Sequence, residues 1–339
     1  MNIVVWHVHG SWTTAFVQGA HRYLIPTLPE RGPWGGGRPA AWEWPASAVE
    51  VPPADLAGTD VDVVVLQRPE ELELARRWLR RTPGRDVPAV YVEHNTPREH
   101  AATSRHPLAD RDDVLLVHVT HFNRLMWDTG RTRTAVVEHG VVDPGHRYTG
   151  ELPAAAVAVN EPLRRGRVTG TDLLPRFARA VPLDVFGMGT AGLDAALDPG
   201  PGSAGVRPRG DLPQDRMHAE MARRRAYLHL SRWTSLGLSL VEAMHLGMPV
   251  VALATTEAVE AVPPGTGCCS TDPDRLEAAL RNLVAEPELA SSQGAAARAH
   301  ALARYGLDRF LGDWDALLAD VTERPAARVP VAFATNGRS

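Results

Sequence analysis

Tyr227 to Ala252 reads Tyr-Leu-His-Leu-Ser-Arg-Trp-Thr-Ser-Leu-Gly-Leu-Ser-Leu-Val-Glu-Ala-Met-His-Leu-Gly-Met-Pro-Val-Val-Ala, a pattern suited to binding chemistry. Thr234-Ser235-Leu236-Gly237 forms a turn ahead of a helix that starts near Leu238. Ser235 or Thr234 can cap that helix, and Gly237 lets a ligand approach the backbone closely. Free amides at the helix start favour a phosphate or a sugar hydroxyl. Glu242 follows within the first turns, where its carboxylate can accept two hydroxyl hydrogen bonds, as a ribose diol offers. A run of cations, Arg164, Arg165 and Arg167, lies just before Thr171-Asp-Leu-Leu174, and forked guanidinium groups match phosphate oxygens. Phe186-Gly187-Met188-Gly189 ends another strand. In the first half, Gly10 follows the first strand, and His94 sits at a strand end within Val90-Tyr-Val-Glu-His-Asn-Thr-Pro97. His7 and His9 alternate with apolar neighbours, so only one of the two can face the same side.

These residues require a scaffold of alternating strands and helices, and the apolar runs supply one. Strands are expected near Ile3–Val8, Asp62–Leu66, Ala89–Val92, Leu115–His118 and Ala135–Val137, and again near Ala155–Val159, Leu183–Phe186, Ala226–Leu230 and Val250–Ala252. Helices are expected at Thr14–Leu24, Glu70–Arg81, His121–Trp127, Thr171–Arg179, Pro213–Arg223, Leu238–Leu246, Asp274–Val284, Pro287–Ala303 and Leu307–Val321. Arg31–Pro53, rich in Gly, Pro and Trp, reads as a surface loop. The expected fold is α/β: two Rossmann-like, doubly wound domains facing a central cleft. They divide as residues 1–148 and 149–306, followed by a helix over 307–323 and a loose tail over 324–339.

Composition removes several function classes. All 36 basic side chains among the 339 residues are arginine. Without lysine there is no Schiff-base chemistry and no Walker-type phosphate lysine. A formal charge of −4 argues against a dedicated nucleic-acid binder. Cys268 and Cys269 are adjacent and unsuited to bridging each other, which points to a reducing cytoplasm. No apolar stretch reaches membrane-span length. No histidine and carboxylate grouping has metal-ligand spacing, so no metal is expected. The absence of Gly-x-Gly-x-x-Gly after the first strand lowers a dinucleotide-dependent dehydrogenase reading.

The Thr234–Val250 stretch resembles the donor-binding signature of family 4 of the retaining glycosyltransferases, whose architecture is GT-B. In that signature two glutamates separated by seven residues bracket a Phe-Gly-Leu-type turn, and Glu-Ala-Met-Ala-x-Gly-x-Pro-Val follows. Glu242-Ala-Met-His-Leu-Gly-Met-Pro-Val250 matches nearly residue for residue, while Thr234 stands in place of the first glutamate. Arg164 matches the family's diphosphate arginine, Thr169 stands where its lysine is expected, and Gly170 matches its glycine. Val137-Glu-His-Gly-Val-Val-Asp143 is similar to the hinge motif, with His139 for asparagine. The resemblance implies a retaining glycosyltransferase of carbohydrate biosynthesis with a UDP- or GDP-sugar as donor substrate and no tightly bound cofactor. It implies that Glu242 holds the ribose and that Arg164 with Arg165 or Arg167 holds the diphosphate. Gly10, Gly187 and the Ser235-Leu236-Gly237-Leu238 backbone would line the donor, and His94 and the Thr234 position would lie at the sugar. The implied partners are the nucleotide sugar and a sugar or lipid-linked acceptor, with peripheral membrane contact left open. The implied crossing of the last helix back to the first domain would couple the two. Thr234 and Thr169 keep a rival open, a nucleotide-sugar-binding paralogue without transferase activity. An epimerase of the same architecture is the other rival.

Overall fold

The structure is a computed structural model that describes residues 1–39, 42–98, 100–197 and 205–323, so the expected tail over 324–339 lies outside the described residues. Val63-Val-Val-Leu66 and Ala89-Val-Tyr-Val-Glu93 are buried at every position, as strands covered by helices on both faces must be. Among the described residues a seven-stranded sheet comprises β1 (Asn2–Val5), β2 (Arg22–Pro26), β3 (Ala48–Val51), β4 (Val63–Leu66), β5 (Ala89–Glu93), β6 (Leu115–His118) and β7 (Thr134–Val136), ordered β3-β2-β1-β4-β5-β6-β7. A six-stranded sheet comprises β8 (Leu152–Ala158), β9 (Leu183–Phe186), β10 (Val206–Gly210), β11 (Arg224–His229), β12 (Val250–Leu253) and β13 (Gly267–Ser270), ordered β10-β9-β8-β11-β12-β13. Neighbouring strands pair in parallel. The strand order reverses at β1/β4 and at β8/β11, which opens a crevice beyond the carboxyl ends of those strands.

Four local expectations need correction. The segment expected as a helix over Thr14–Leu24 is a shorter helix, Gly10–Phe16, followed by β2. Tyr23-Leu-Ile-Pro26 is wholly buried, and a continuous apolar run carries no period to separate helix from strand. The Arg31–Pro53 loop contains β3, which pairs with β2 at the sheet edge. β10 and β13 were not anticipated. Gly267-Cys-Cys-Ser270 is half-buried throughout, so it shows neither alternation nor an apolar run.

The two sheets are tied by the end of the chain. Helix Leu307–Glu323 buries Phe310, Trp314 and Leu318 in the same core as Trp12, Phe16 and Val92 of the first sheet. Trp12 and Trp314 meet edge to face at 5.7 Å, a packing mode that adds to simple area burial. Gly140 passes beneath this helix, and a Cβ there would overlap the Phe310 side chain. Beside it, the Val141 N–H donates to Tyr305 O at 3.0 Å. Polar links also cross the crevice. The Phe122 N–H donates to Glu257 at 2.8 Å, and the Trp233 indole donates to Pro97 O at 2.6 Å. Helix His121–Met126 therefore helps to join the halves.

Candidate functional site in the cleft between the sheets

Two adjoining cavities fill the crevice. One, of about 920 Å³, extends from Thr234 and Leu238 past Glu242 to Gly187 and Asp211. The other, of about 790 Å³, lies between Trp12, His94 and His139 on one side and Arg164, Trp233 and Ser235 on the other. His9, Asn160, Arg165, Met188, Thr234 and Leu238 border both. Topology explains the lining. His9 follows β1, His94 follows β5, Asn160 follows β8, Gly187 follows β9, Asp211 follows β10 and Thr234 follows β11. Each sits just beyond a carboxyl strand end, where loops are free to specialise.

Glu242 is 3% exposed and borders the larger cavity. Ser11 Oγ donates to its Oε1 at 3.0 Å and Gln214 Nε2 donates to the same oxygen at 3.1 Å. His218 Nε2 lies 3.3 Å from Oε2. Burial pushes the carboxyl up, but the hydrogen bond and charge of His218, with the bonds from Ser11 and Gln214, outweigh it and hold Glu242 below the usual range. The result is an anchored carboxylate, charged at neutral pH, beside a helix start.

That helix, Leu238–Leu246, begins at Gly237 without a side-chain cap. The expected capping by Ser235 or Thr234 does not occur. Ser235 Oγ instead meets Thr120 Oγ1 at 3.1 Å, where the two halves touch. Uncapped amides at a helix start are unsatisfied donors, and Gly237, Leu238 and Ser239 border the larger cavity. Gly237 packs on a buried ring, since a Cβ there would stand 2.6 Å from His229 Cε1. Gly187 has φ +124, and a Cβ would run into Val159 O, so glycine is required where the backbone enters the cavity.

Residues 203–300 match the family model described as glycosyl transferases group 1. No curated protein sequence matches the chain. Sucrose-phosphate synthase from Thermosynechococcus elongatus is 14% identical, with a TM-score of 0.69 over 95% of this chain and 99% of that one. Anabaena HepE in complex with UDP-glucose is 16% identical, with a TM-score of 0.65 over 94% and 100%. A mutant of S. aureus TarM, in complex with fondaparinux, alpha-GlcNAc-glycerol and UDP, is 14% identical, with a TM-score of 0.60 over 76% and 55%. This chain spans about half the length of TarM. This is the GT-B fold.

Within that fold the sequence candidates separate. Arg165 is half-buried, borders both cavities and has no ion pair among the described residues. Burial, then the charges of Arg164 and Arg98, pull it below the ordinary arginine value. Arg164 is exposed at the rim of the smaller cavity, 3.5 Å from Glu161. Arg167 borders neither cavity. It pairs with Asp172 at 2.8 Å, and Asp172 also holds Arg232. The structure therefore does not bring Arg167 to either cavity; its guanidinium is held by Asp172, past the tight turn from Gly166 to Thr169. Thr169, at the expected lysine position, borders the larger cavity, with its hydroxyl 3.0 Å from Thr171. Gly10 opens a seven-residue helix and packs under Trp42, so its neighbours His9 and Ser11 line the cavity in its place. Leu236 faces the smaller cavity and is largely buried in the second-sheet core.

Histidines dominate the first-half wall. His94 borders the smaller cavity, its ring 4.0 Å from that of His9 and edge-on to Trp12 at 5.0 Å. His9 faces the cleft while His7 packs against Trp44. Burial lowers His94 well below the usual range, with the His9 and His139 charges adding to it. It lowers His9 to about 4 and His139 to about 3. Neutral imidazoles can donate to or accept from sugar hydroxyls without placing a cation there. Gln214, His218 and Ser11 went unnoticed in the sequence. Gln214 and His218 share one helix face at i, i+4 spacing, a signal with meaning only once Glu242 is known to lie opposite.

These histidines also predict acid sensitivity. Buried His118 and His229 are lowered to about 3 and about 4, chiefly by burial. Each is neutral in the folded chain and titrates near 6.5 when unfolded, so its contribution to stability is complete above 6.5 and is lost progressively as pH falls toward 4. By linkage each such group costs about 2 kcal/mol at pH 5. Urea midpoints should therefore drop steeply between pH 7 and pH 5. A midpoint constant over that interval would contradict the buried neutral histidines.

Proposed function

We propose that the protein is a retaining glycosyltransferase that moves a sugar from a nucleotide-diphosphate donor to a sugar or lipid-linked acceptor. The observation that carries this reading is the anchored carboxylate of Glu242 beside an uncapped helix start, with Arg165, which has no ion pair among the described residues, in the same cleft. The match of residues 203–300 to glycosyl transferases group 1 supports it. Glu242 would accept the ribose hydroxyls. Arg165, helped by Arg164, would stabilise the diphosphate as negative charge develops on it. The Leu238 and Ser239 amides would meet the sugar or phosphate, and His94 and His9 would contact the sugar hydroxyls. The bond from the anomeric carbon to the diphosphate oxygen breaks as the acceptor oxygen bonds to that carbon, and the acceptor proton passes to the departing diphosphate. Among the described residues Glu161 is the one carboxylate lining the smaller cavity, and it lies 3.5 Å from Arg164. Front-face attack, with retention, fits this arrangement better than a covalent glycosyl-enzyme.

A second reading, binding without transfer, draws on Thr234 and Thr169, both uncharged in this cleft. The two are separated by incubating the protein with a panel of UDP- and GDP-sugars, with and without sugar acceptors. Released nucleoside diphosphate is quantified and the anomeric proton of any product is read by NMR. Transfer with the donor's anomeric configuration is the expected result. Tight donor binding with no release on any acceptor supports the second reading, and an inverted product refutes retention.

A further inference from the structure

We propose that Asp211 selects guanine, so that the donor is a GDP-sugar; this rests on the glycosyltransferase reading above. The larger cavity has a direction. Arg165 and Thr234 border the smaller cavity as well, whereas Glu242, Gly187 and Asp211 border the larger one and not the smaller. Those loops are held together, because the Gly187 N–H donates to Gly210 O at 2.9 Å. Beside that bond the larger cavity is bordered by Gly187 from one loop and by Asp211, Leu212 and Pro213 from the other. Gln214, three residues after Asp211, donates to Glu242 at 3.1 Å, which ties the loop carrying Asp211 to the ribose position. A nucleotide laid with its ribose on Glu242 and its phosphates toward Arg165 places its base there.

The chemistry at that end distinguishes bases. Gly187 exposes backbone, and Met188, Leu212 and Met217 supply apolar contact for a planar ring. Asp211 is exposed and forms no hydrogen bond or ion pair with another described residue, while Arg209, two residues earlier, is committed to buried Asp184 at 2.9 Å. An ionised carboxylate only accepts hydrogen bonds. Guanine offers two parallel donors on one edge, the ring N1–H and the exocyclic amine. Uracil offers a single N3–H between two carbonyl oxygens that a carboxylate repels, and adenine offers only its exocyclic amine. A two-point pairing of this kind discriminates between bases by about 10- to 100-fold.

Calorimetric titration of the full chain with GDP, UDP and ADP tests this, on the unaltered protein and on Asp211→Ala, a change at an exposed loop position. The expected result is GDP binding about 10- to 100-fold tighter than UDP or ADP, with that margin collapsing to within about 3-fold in Asp211→Ala. UDP or ADP binding as tightly as GDP overturns the assignment and leaves the glycosyltransferase reading standing. A margin unchanged by Asp211→Ala also overturns the role of this residue. Failure of all three nucleotides to bind overturns the glycosyltransferase reading as well.

Discussion

Replacing Glu242 with alanine should weaken nucleoside diphosphate binding by about 100-fold while leaving the protein folded. Hydrogen bonds to a charged acceptor contribute about 1.5–3 kcal/mol each, and a ribose diol would form two. Part of that gain is offset, because Ser11 and Gln214 already donate to the carboxylate and must share or yield it. The net loss falls near 2–3 kcal/mol, which is about 100-fold in affinity. Truncation leaves Ser11, Gln214 and His218 without their shared acceptor. Ser11 and Gln214 border the cavity and can turn to water. Glu242→Gln keeps the shape, donates where the carboxylate accepted, and should fall between the two. Calorimetry for affinity and thermal melting for stability separate binding from folding. Unaltered nucleotide affinity in Glu242→Ala, in a protein that melts normally, removes the ribose assignment.

The doubly wound architecture was readable because fully buried parallel strands leave uninterrupted Val, Leu and Ala runs that few other structures produce. Reading failed at β2, whose buried run carries no period, and at three peripheral strands. β3, β10 and β13 each lie at a sheet edge, where half-exposed residues blur the pattern. The site divides in the same way. Glu242, Gly187, Gly237 and Arg165 lie in single stretches with their own turn chemistry, so sequence could nominate them. His9, Ser11, Gln214 and His218 acquire meaning only across the cleft: Ser11 reaches Glu242 from 231 positions away. Arg167, which borders neither cavity, shows the converse. Three cations within four residues look interchangeable in sequence, yet a turn of tight helix aims them in different directions, and only backbone geometry decides which one meets the ligand.

That geometry makes the second large prediction, a contrast between neighbours. Arg165→Ala should lower the rate of sugar transfer by about 10²–10³-fold, the range typical for losing one group that stabilises developing transition-state charge. Arg167→Ala should leave transfer within about 3-fold, since its bond to Asp172 is an exposed ion pair contributing little. The chain contains no lysine, and the position where lysine is expected holds Thr169, nine-tenths buried and hydrogen-bonded to Thr171 and Gly166. A threonine so committed supplies no charge, so under the proposed function a bound diphosphate would draw its second cation from elsewhere. Arg165 borders both cavities without an ion pair among the described residues, whereas Arg164 lies at the rim beside Glu161. Arg165→Lys sharpens the test, because it keeps the charge and removes the planar fork. Partial recovery in that variant indicates that charge dominates; none indicates that two-point contact does. Equal loss in Arg165→Ala and Arg167→Ala would mean that the turn rearranges when the donor binds, and the arginine assignment would have to move with it.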